Sequence, residues 1–556
     1  MFLPLLKVAG TDQNGGVVTE SMGDMAIVLD ALGQLGIDLT LLNILVVMFG
    51  FFVLKGIAKF MADFYRVILQ QRFANRLRIE NMSLLAGYDY QAFAKSNSGR
   101  IQNTFSGEVN RVHNAYKAYF TMLQQAIMTM VYVFLAYSAN PRFALIVAGG
   151  GVISNLAFSR IYGITKDASR QMTLRMHGFQ QFLIQSVTSF KFLKATDLIT
   201  PYKKKIIKSI IGIEEQQRKV NTMSAISSAM REPIIILIVA AAILIQVEIF
   251  GESLGLIILS LLFFYRGLTS LVALQGNYNT FLSNLGALDN MQEFVAELKR
   301  DQETTGNRKL TTFNEGIVMK NLYYSYDDES VIEDLSVTIR KNSTVGLVGE
   351  SGTGKTTLVN LFCGLLKPAP GMLFIDGIDV NELDVHSLRQ RIGYVTQEPQ
   401  VFTDSIFDNI SFWEKRTPES EKKVWEALRL AHAADFVAAL PQGLDTVIGI
   451  NGVNLSGGQR QRISIARELY RDVDILILDE ATSALDSQSE KAIQENIESL
   501  SGNYTIIVIA HRLSTIRKAD KIVYLQPGGR YQVGTFDGLT EASETFQRMV
   551  ALQSMA

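Results

Sequence analysis

Nine residues, GESGTGKTT (349–357), set three glycines among a lysine and three threonines, straight after the apolar run TVGLV and before a helical stretch. Glycines let successive backbone N–H groups converge on an anion, the lysine adds a point charge, and a hydroxyl can ligate Mg2+. The pattern G-x-x-x-x-G-K-[ST] between a strand and a helix suits a nucleoside triphosphate. Gly349, Glu350, Ser351, Gly352, Thr353, Gly354, Lys355, Thr356 and Thr357 are therefore the expected phosphate wrap.

A second apolar run, DILILDE (474–480), ends in two carboxylates that divide the work of phosphoryl transfer. Asp479 is placed to hold Mg2+ together with Thr356, and Glu480 to polarise the attacking water. Three polar residues end other strand-like runs. Gln397, after IGYVT, is expected at the metal or water, His511, after TIIVIA, at the γ-phosphate, and Tyr326, in YYSYDD, against adenine. Glu480, His511, Lys355 and Gln397 make up the catalytic set. In NLSGGQRQR, Ser456, Gly457, Gly458 and Gln459 precede a basic helix, and small residues there leave N–H groups bare for a second anion.

These groups need a parallel sheet to hold them. From residue 316 short apolar runs alternate with helical stretches, the mark of an α/β domain with crossover helices. The polar stretch LKRDQETTGNRK (298–309) precedes it. The expected organisation is a membrane domain over 1–297, a linker over 298–312 and an ATP-binding domain over 313–556.

The first 290 residues are of another kind. Segments 39–65, 115–139, 142–163, 233–250 and 254–275 are each long and apolar enough to cross ~30 Å of hydrocarbon. Between Val8 and Leu54 there is no Lys or Arg, and the last two spans are joined through Glu248 and Glu252, whereas 166–231 carries a dozen basic residues. The basic connections face the cytoplasm. They run long without Gly/Pro breaks, so the helices should continue beyond the membrane and turn near 93–99 and 192–200. A net charge of −1, with acids and bases evenly spread after the spans, gives no basic stripe for nucleic acid. A single cysteine, Cys363, excludes an intramolecular disulfide.

Taken in order, the C-terminal motifs closely resemble the nucleotide-binding domain of the ABC transporter superfamily. Tyr326 is similar to the A-loop aromatic, 349–356 to the Walker A loop, Gln397 to the Q-loop and LSGGQ (455–459) to the signature. ILILD (475–479) with Glu480 resembles Walker B, SALD (483–486) the D-loop and His511 the switch histidine. The N-terminal half resembles the exporter-type membrane domain, an all-α transmembrane bundle with long cytoplasmic helices, followed by an α/β P-loop domain with a helical subdomain. The family has six spans where five are counted here. In TVIGINGVN (446–454), Ile450 stands where the family's X-loop is usually acidic.

The resemblance implies two such domains facing head to tail, so that ATP and Mg2+ on one Walker A loop are covered by LSGGQ of a second copy. It implies an ATP-hydrolysing translocase, a homodimer in the bacterial cytoplasmic membrane, with no nucleic-acid partner. Arg266 lies about twelve residues from the outward acidic loop, hence ~18 Å deep by helix rise. A charge at that depth marks either a structural pair or a site for an anionic head group. The texture of 179–197 and 263–289 is similar to flippases of lipid-linked oligosaccharides, which makes such a lipid the expected cargo. Multidrug or lipid A-type export is the alternative, and an ATP-gated channel or regulator the reading from another class.

Overall fold

The computed structural model describes residues 41–139, 141–249, 254–327, 329–449, 452, 454–479, 495, 498–510 and 513–554. The chain divides into two compact units, one drawn from 1–88 and 95–302, the other from 89–94 and 303–556.

Among the described residues of the first unit, the regular elements are all helices. Its long helices are α1 (Leu41–Ala86), α4 (Val109–Ala139), α5 (Pro141–Thr188), α7 (Ile199–Ala229), α8 (Arg231–Leu244), α9 (Leu254–Ser283) and α10 (Leu285–Arg300). Short helices α3 (Ser98–Asn103) and α6 (Phe190–Ala195) lie at the expected turning points, as does α2 (Tyr90–Lys95), whose residues 90–94 group with the second unit. At 1.5 Å per residue, the 46 residues of α1 and the 48 of α5 run about 70 Å, more than twice the ~30 Å of hydrocarbon. Both helices therefore continue past a bilayer.

By length and composition, Leu45–Ala86, Ser98–Ser138 and Ile199–Leu244 can cross a membrane. The other two expected spans fall in α5 and α9, many of whose side chains lie outside the described set. The question of a sixth span falls on 1–40, also outside it. Along α1, Phe49 is 70% and Phe60 68% exposed. Water would penalise that surface; lipid chains do not.

Away from the spans the helices are joined by polar contacts. A π-turn at Thr104–Glu108 turns the Glu108 carboxylate into the bundle, where it is 1% exposed. There Asn103 Nδ2 donates to it at 3.1 Å, Asn290 Nδ2 donates to its other oxygen, and His177 Nε2 lies 3.1 Å away. Buried charge is tolerated only with partners of this kind. Three segments distant in sequence, around 103–108, 177 and 290, are thereby tied at one point.

The second unit contains two sheets. Strands β1 (Gly316–Tyr326), β2 (Glu329–Arg340), β4 (Leu373–Ile375) and β5 (Ile378–Asp379) form an antiparallel sheet in the order β2-β1-β4-β5. Strands β3 (Thr344–Gly349), β6 (Ile392–Val395), β7 (Ile475–Asp479), β8 (Thr505–Ile509), β9 (Lys521–Leu525) and β10 (Tyr531–Gly534) form the main sheet, in the order β10-β9-β3-β8-β7-β6. All its pairings except β10 with β9 are parallel.

Alternation along the strands splits the core. Ile475 and Ile477 of β7, with Ile507 and Ile509 of β8, pack among residues of the antiparallel sheet such as Ile317 and Leu335. Leu476, Leu478, Ile506 and Val508 face the other way, toward Phe407, Leu428 and Ile463 of the helical subdomain. A strand covered on both faces reads as an unbroken apolar run, which is why ILIL and TIIVI carry no polar interruption.

Candidate functional site

Parallel strands end on one edge, so the order β3-β8-β7-β6 lines up the residues that follow them. Gly349 ends β3, Asp479 ends β7, and Gln397 lies two residues beyond β6. Glu480, the 483–486 loop, His511 and Ile450 lie outside the described residues.

After β3 the chain wraps through 350–354 and enters α11 (Lys355–Phe362). A Cβ at Gly349 would sit 2.3 Å from the Leu525 carbonyl oxygen and 2.6 Å from Thr353 Oγ1, so the loop closes only on glycine. Gly354 caps the helix at φ +96, a conformation costly for other residues, and offers no side chain to the first N–H groups. Those donors and the positive end of the helix dipole are left for an anion. Lys355 is 7% exposed, and its ammonium donates to the carbonyls of Gly349 (2.8 Å) and Glu350 (2.7 Å). Thr353 Oγ1 donates to Glu350 at 2.9 Å, bracing the same loop, while Glu350, Ser351, Gly352 and Thr356 are exposed.

Tyr326 ends β1, and its hydroxyl lies 3.5 Å from Thr357 Oγ1 in the first turn of α11. The ring is 39% exposed and meets Tyr324 edge-on, with centroids 5.3 Å apart. Tyr324 is buried and receives a hydrogen bond from Gln91 Nε2, within the 89–94 segment that groups with this unit. Burial is the main reason its phenol is pushed above the usual range.

Asp479 accepts a hydrogen bond from Tyr394 Oη at 3.0 Å. Burial, then the Asp479 charge, push the Tyr394 phenol far above its ordinary value, so it stays a donor at physiological pH. One carboxylate oxygen is thereby oriented. The Thr356 hydroxyl, Gln397 amide and Asp479 carboxylate are hard oxygen donors, the chemistry Mg2+ takes beside phosphate.

The second glycine-rich start behaves differently. Ser456 caps the helix α12 (Gly457–Tyr470): its Oγ accepts from Gln459 N at 3.2 Å, and Gln459 Oε1 accepts from Ser456 N at 2.9 Å. This reciprocal box stiffens the turn, and the Ser456 proton is not consumed by it. Ahead of it Asn454 clasps the chain, accepting from Gly449 N and donating to Val447 O, both at 2.9 Å.

Two further residues emerge from the structure alone. Tyr394 lies in β6 between buried Gly393 and Val395, and nothing in that run marks it as a partner of Asp479. Arg467, in the last turn of α12 and 4% exposed, donates to Asn409 O and Gln400 O at 2.6 Å. It ties the signature helix to the segment that follows Gln397, and no local pattern announces contacts across 58 and 67 positions.

Comparison with known proteins agrees with this architecture. Residues 332–483 match the ABC transporter family model, and 24–270 the ABC transporter transmembrane region. The chain is 30% identical over 479 residues to a heterocyst differentiation ATP-binding protein of Nostoc sp., covering 86% of this chain and 78% of that one. It is 30% identical over 511 residues to an ATP-dependent lipid A-core flippase of Francisella tularensis subsp. holarctica, covering 90% and 83%. In fold it is similar to a bacterial Atm1-family ABC exporter solved with ATP bound, with a TM-score of 0.78 at 24% identity over 95% of this chain and 94% of that one. With a multi-pass helical domain joined to a phosphate-wrapping α/β domain, the chain belongs to the ABC transporter family as an exporter-type half-transporter that hydrolyses ATP to drive transport.

Proposed function

We propose that two copies of this chain form a flippase for an amphipathic lipid with an anionic head, a lipid-linked oligosaccharide or one close to it. It resides in the bacterial cytoplasmic membrane with the ATP-binding domain, 313–556, in the cytoplasm and the membrane domain, 1–297, joined to it by 298–312. ATP lies against Tyr326 and in the 349–357 loop of one copy. Ser456, Gly457, Gly458 and Gln459 of the second copy close over its γ-phosphate. Thr356, Gln397 and Asp479 would hold Mg2+, which when bound neutralises charge on the terminal phosphates. Lys355 and His511 hold the γ-phosphate, and Glu480 orients and polarises the attacking water. Closure moves the turns at 93–99 and 192–200 and switches the cavity from inward to outward access; hydrolysis resets it.

The observation that carries the lipid reading is Arg266. It is exposed on α9, and among the described residues no ion pair engages it. A guanidinium without an acid at that depth favours an anionic cargo over a structural pair. Lipid A-type export remains the second reading, favoured by the relatives named lipid A-core flippases.

ATPase stimulation in vesicles tests this, using lipid-linked oligosaccharide, lipid A, simple phospholipid and hydrophobic drugs. The oligosaccharide lipid should stimulate most strongly, and Arg266→Ala should lose most of that response. Equal stimulation by drugs, with no effect of Arg266→Ala, would overturn it.

A further inference from the structure

Tyr326, the ring placed against adenine, does not stand alone. Tyr324 precedes it by two residues on β1, and the β1–β2 ladder slips register between Tyr324 and Ser325. Such irregularities sharpen the local twist and re-aim side chains. The two rings accordingly differ: Tyr324 is 7% exposed and Tyr326 39%, and they meet at 83° with centroids 5.3 Å apart. The exposed ring is thus supported edge-to-face by a buried one, a favoured geometry for aromatic pairs.

What fixes the buried ring lies far up the chain. A buried phenol needs a hydrogen-bond partner, and among the described residues Gln91 Nε2, 233 positions away, supplies it. The turn that carries Gln91 is itself braced: Asp89 Oδ1 accepts from Ala92 N at 3.0 Å, and Asp89 O accepts from Phe93 N at 2.9 Å. Residues 89–94 group with the ATP-binding unit, although the chain up to 88 and from 95 to 302 groups with the helical one. Tyr326 is held at its hydroxyl, 3.5 Å from Thr357 Oγ1, and at its ring by Tyr324. The tilt of the exposed ring therefore follows from where Tyr324 stands, and that follows from Gln91.

Resting on the reading above that adenine stacks on Tyr326, we propose that Gln91 and Tyr324 are positioning residues for the base, so that 89–94 completes the adenine subsite. Seating of this segment holds the Tyr326 ring at the tilt on which a base stacks. Linked equilibria are reciprocal, so a bound base tightens the seat of 89–94 in return. The segment responds to the base end of the nucleotide, independently of Mg2+ and of any lid over the γ-phosphate. Stacking strength rises with the ring area in contact, so a purine gains more than a pyrimidine from a correctly tilted tyrosine.

The test uses the full-length protein without Mg2+, so that neither hydrolysis nor metal binding enters, with ATP and UTP as probes. The unaltered protein should bind ATP more tightly than UTP. Tyr324→Phe keeps the ring and removes the acceptor, and Gln91→Leu changes a partly exposed side chain at similar volume. Each should weaken ATP binding about three- to fivefold and UTP binding by less than about twofold, the range for one lost hydrogen bond. Hydrogen exchange at amides 90–94 should slow more with saturating ATP than with saturating UTP, and that difference should vanish in both variants. Equal losses for the two nucleotides would mean a general loosening of the fold and would overturn the proposal. So would unchanged ATP binding in both variants, no preference for ATP in the unaltered protein, or exchange that does not respond to the base. Tyr326→Ala separates the two readings. If it leaves ATP binding unchanged, the stacking reading falls and the proposal with it; if it weakens ATP binding while Gln91→Leu and Tyr324→Phe do not, the proposal alone falls.

Discussion

Two helices in the second unit begin on glycines, and they begin in opposite ways. Gly354 enters Lys355–Phe362 in a left-handed conformation with no side-chain cap, whereas Ser456 enters Gly457–Tyr470 extended, inside a complete capping box. The first leaves its donors bare and braces them with Lys355 and Thr353, so it is organised to hold phosphate within one chain. The second satisfies its own turn through the capping box, which leaves the Ser456 proton and the glycine N–H groups for something brought to it. One N-terminus is a cradle and the other a lid, which is the division a composite site between two copies requires.

The largest break in that division comes from removing the base while leaving both termini intact. Glu480→Gln should lower ATP turnover by about 10²- to 10⁴-fold with ATP binding retained, the range for a lost general base. ATP should then hold two copies together, detectable by light scattering. Normal turnover in this variant would remove Glu480 from the chemistry, and a monomer saturated with ATP would remove the lid.

The contrast between cap and lid is sharpened by separating their two jobs. Gln459→Ala removes the reciprocal half of the box, one hydrogen bond to Ser456 N, and should cost about 0.5–1.5 kcal/mol of stability. Ser456→Ala removes the cap and also a hydroxyl donor to charged phosphate, worth about 1.5–3 kcal/mol. Turnover should therefore fall about 10- to 100-fold with Ser456→Ala and much less with Gln459→Ala, while thermal unfolding shifts similarly in both. Matching losses of turnover would mean that Ser456 acts only as a cap.

What could be read from the sequence follows the same physical line. The strand, loop and helix around 349–357 were legible because backbone geometry there admits only glycine at 349 and favours it at 354, and the unbroken ILIL and TIIVI runs because both faces of the sheet are covered. The long helices were legible from apolar runs and charge asymmetry. Contacts at long range were not: Tyr394 reaches Asp479 across 85 positions, and Glu108 gathers groups from 69 and 182 positions away. The grouping of 89–94 with the ATP-binding unit likewise depends on packing rather than on composition.

The smallest effect concerns how stiff the cradle is. Cys363 is the C-cap of the cradle's helix, its thiol is buried, and burial pushes its pKa up to about 12. It is therefore protonated near pH 7.5 and nearly inert to maleimide, because the thiolate is the reacting form. Its carbonyl accepts from Arg389 Nε at 3.1 Å, and its neighbours Leu358, Val359, Leu361 and Phe362 are fully buried. A helix packed this way has no room to shift when phosphate arrives at its other end. Saturating ATP should change the Cys363 labelling rate by less than about twofold once the general stabilisation from ligand binding is subtracted, since binding to the native state suppresses global unfolding by mass action. A rate that instead rises with ATP would mean that the cradle moves as well as the lid, and the contrast between the two helix starts would lose its mechanical meaning.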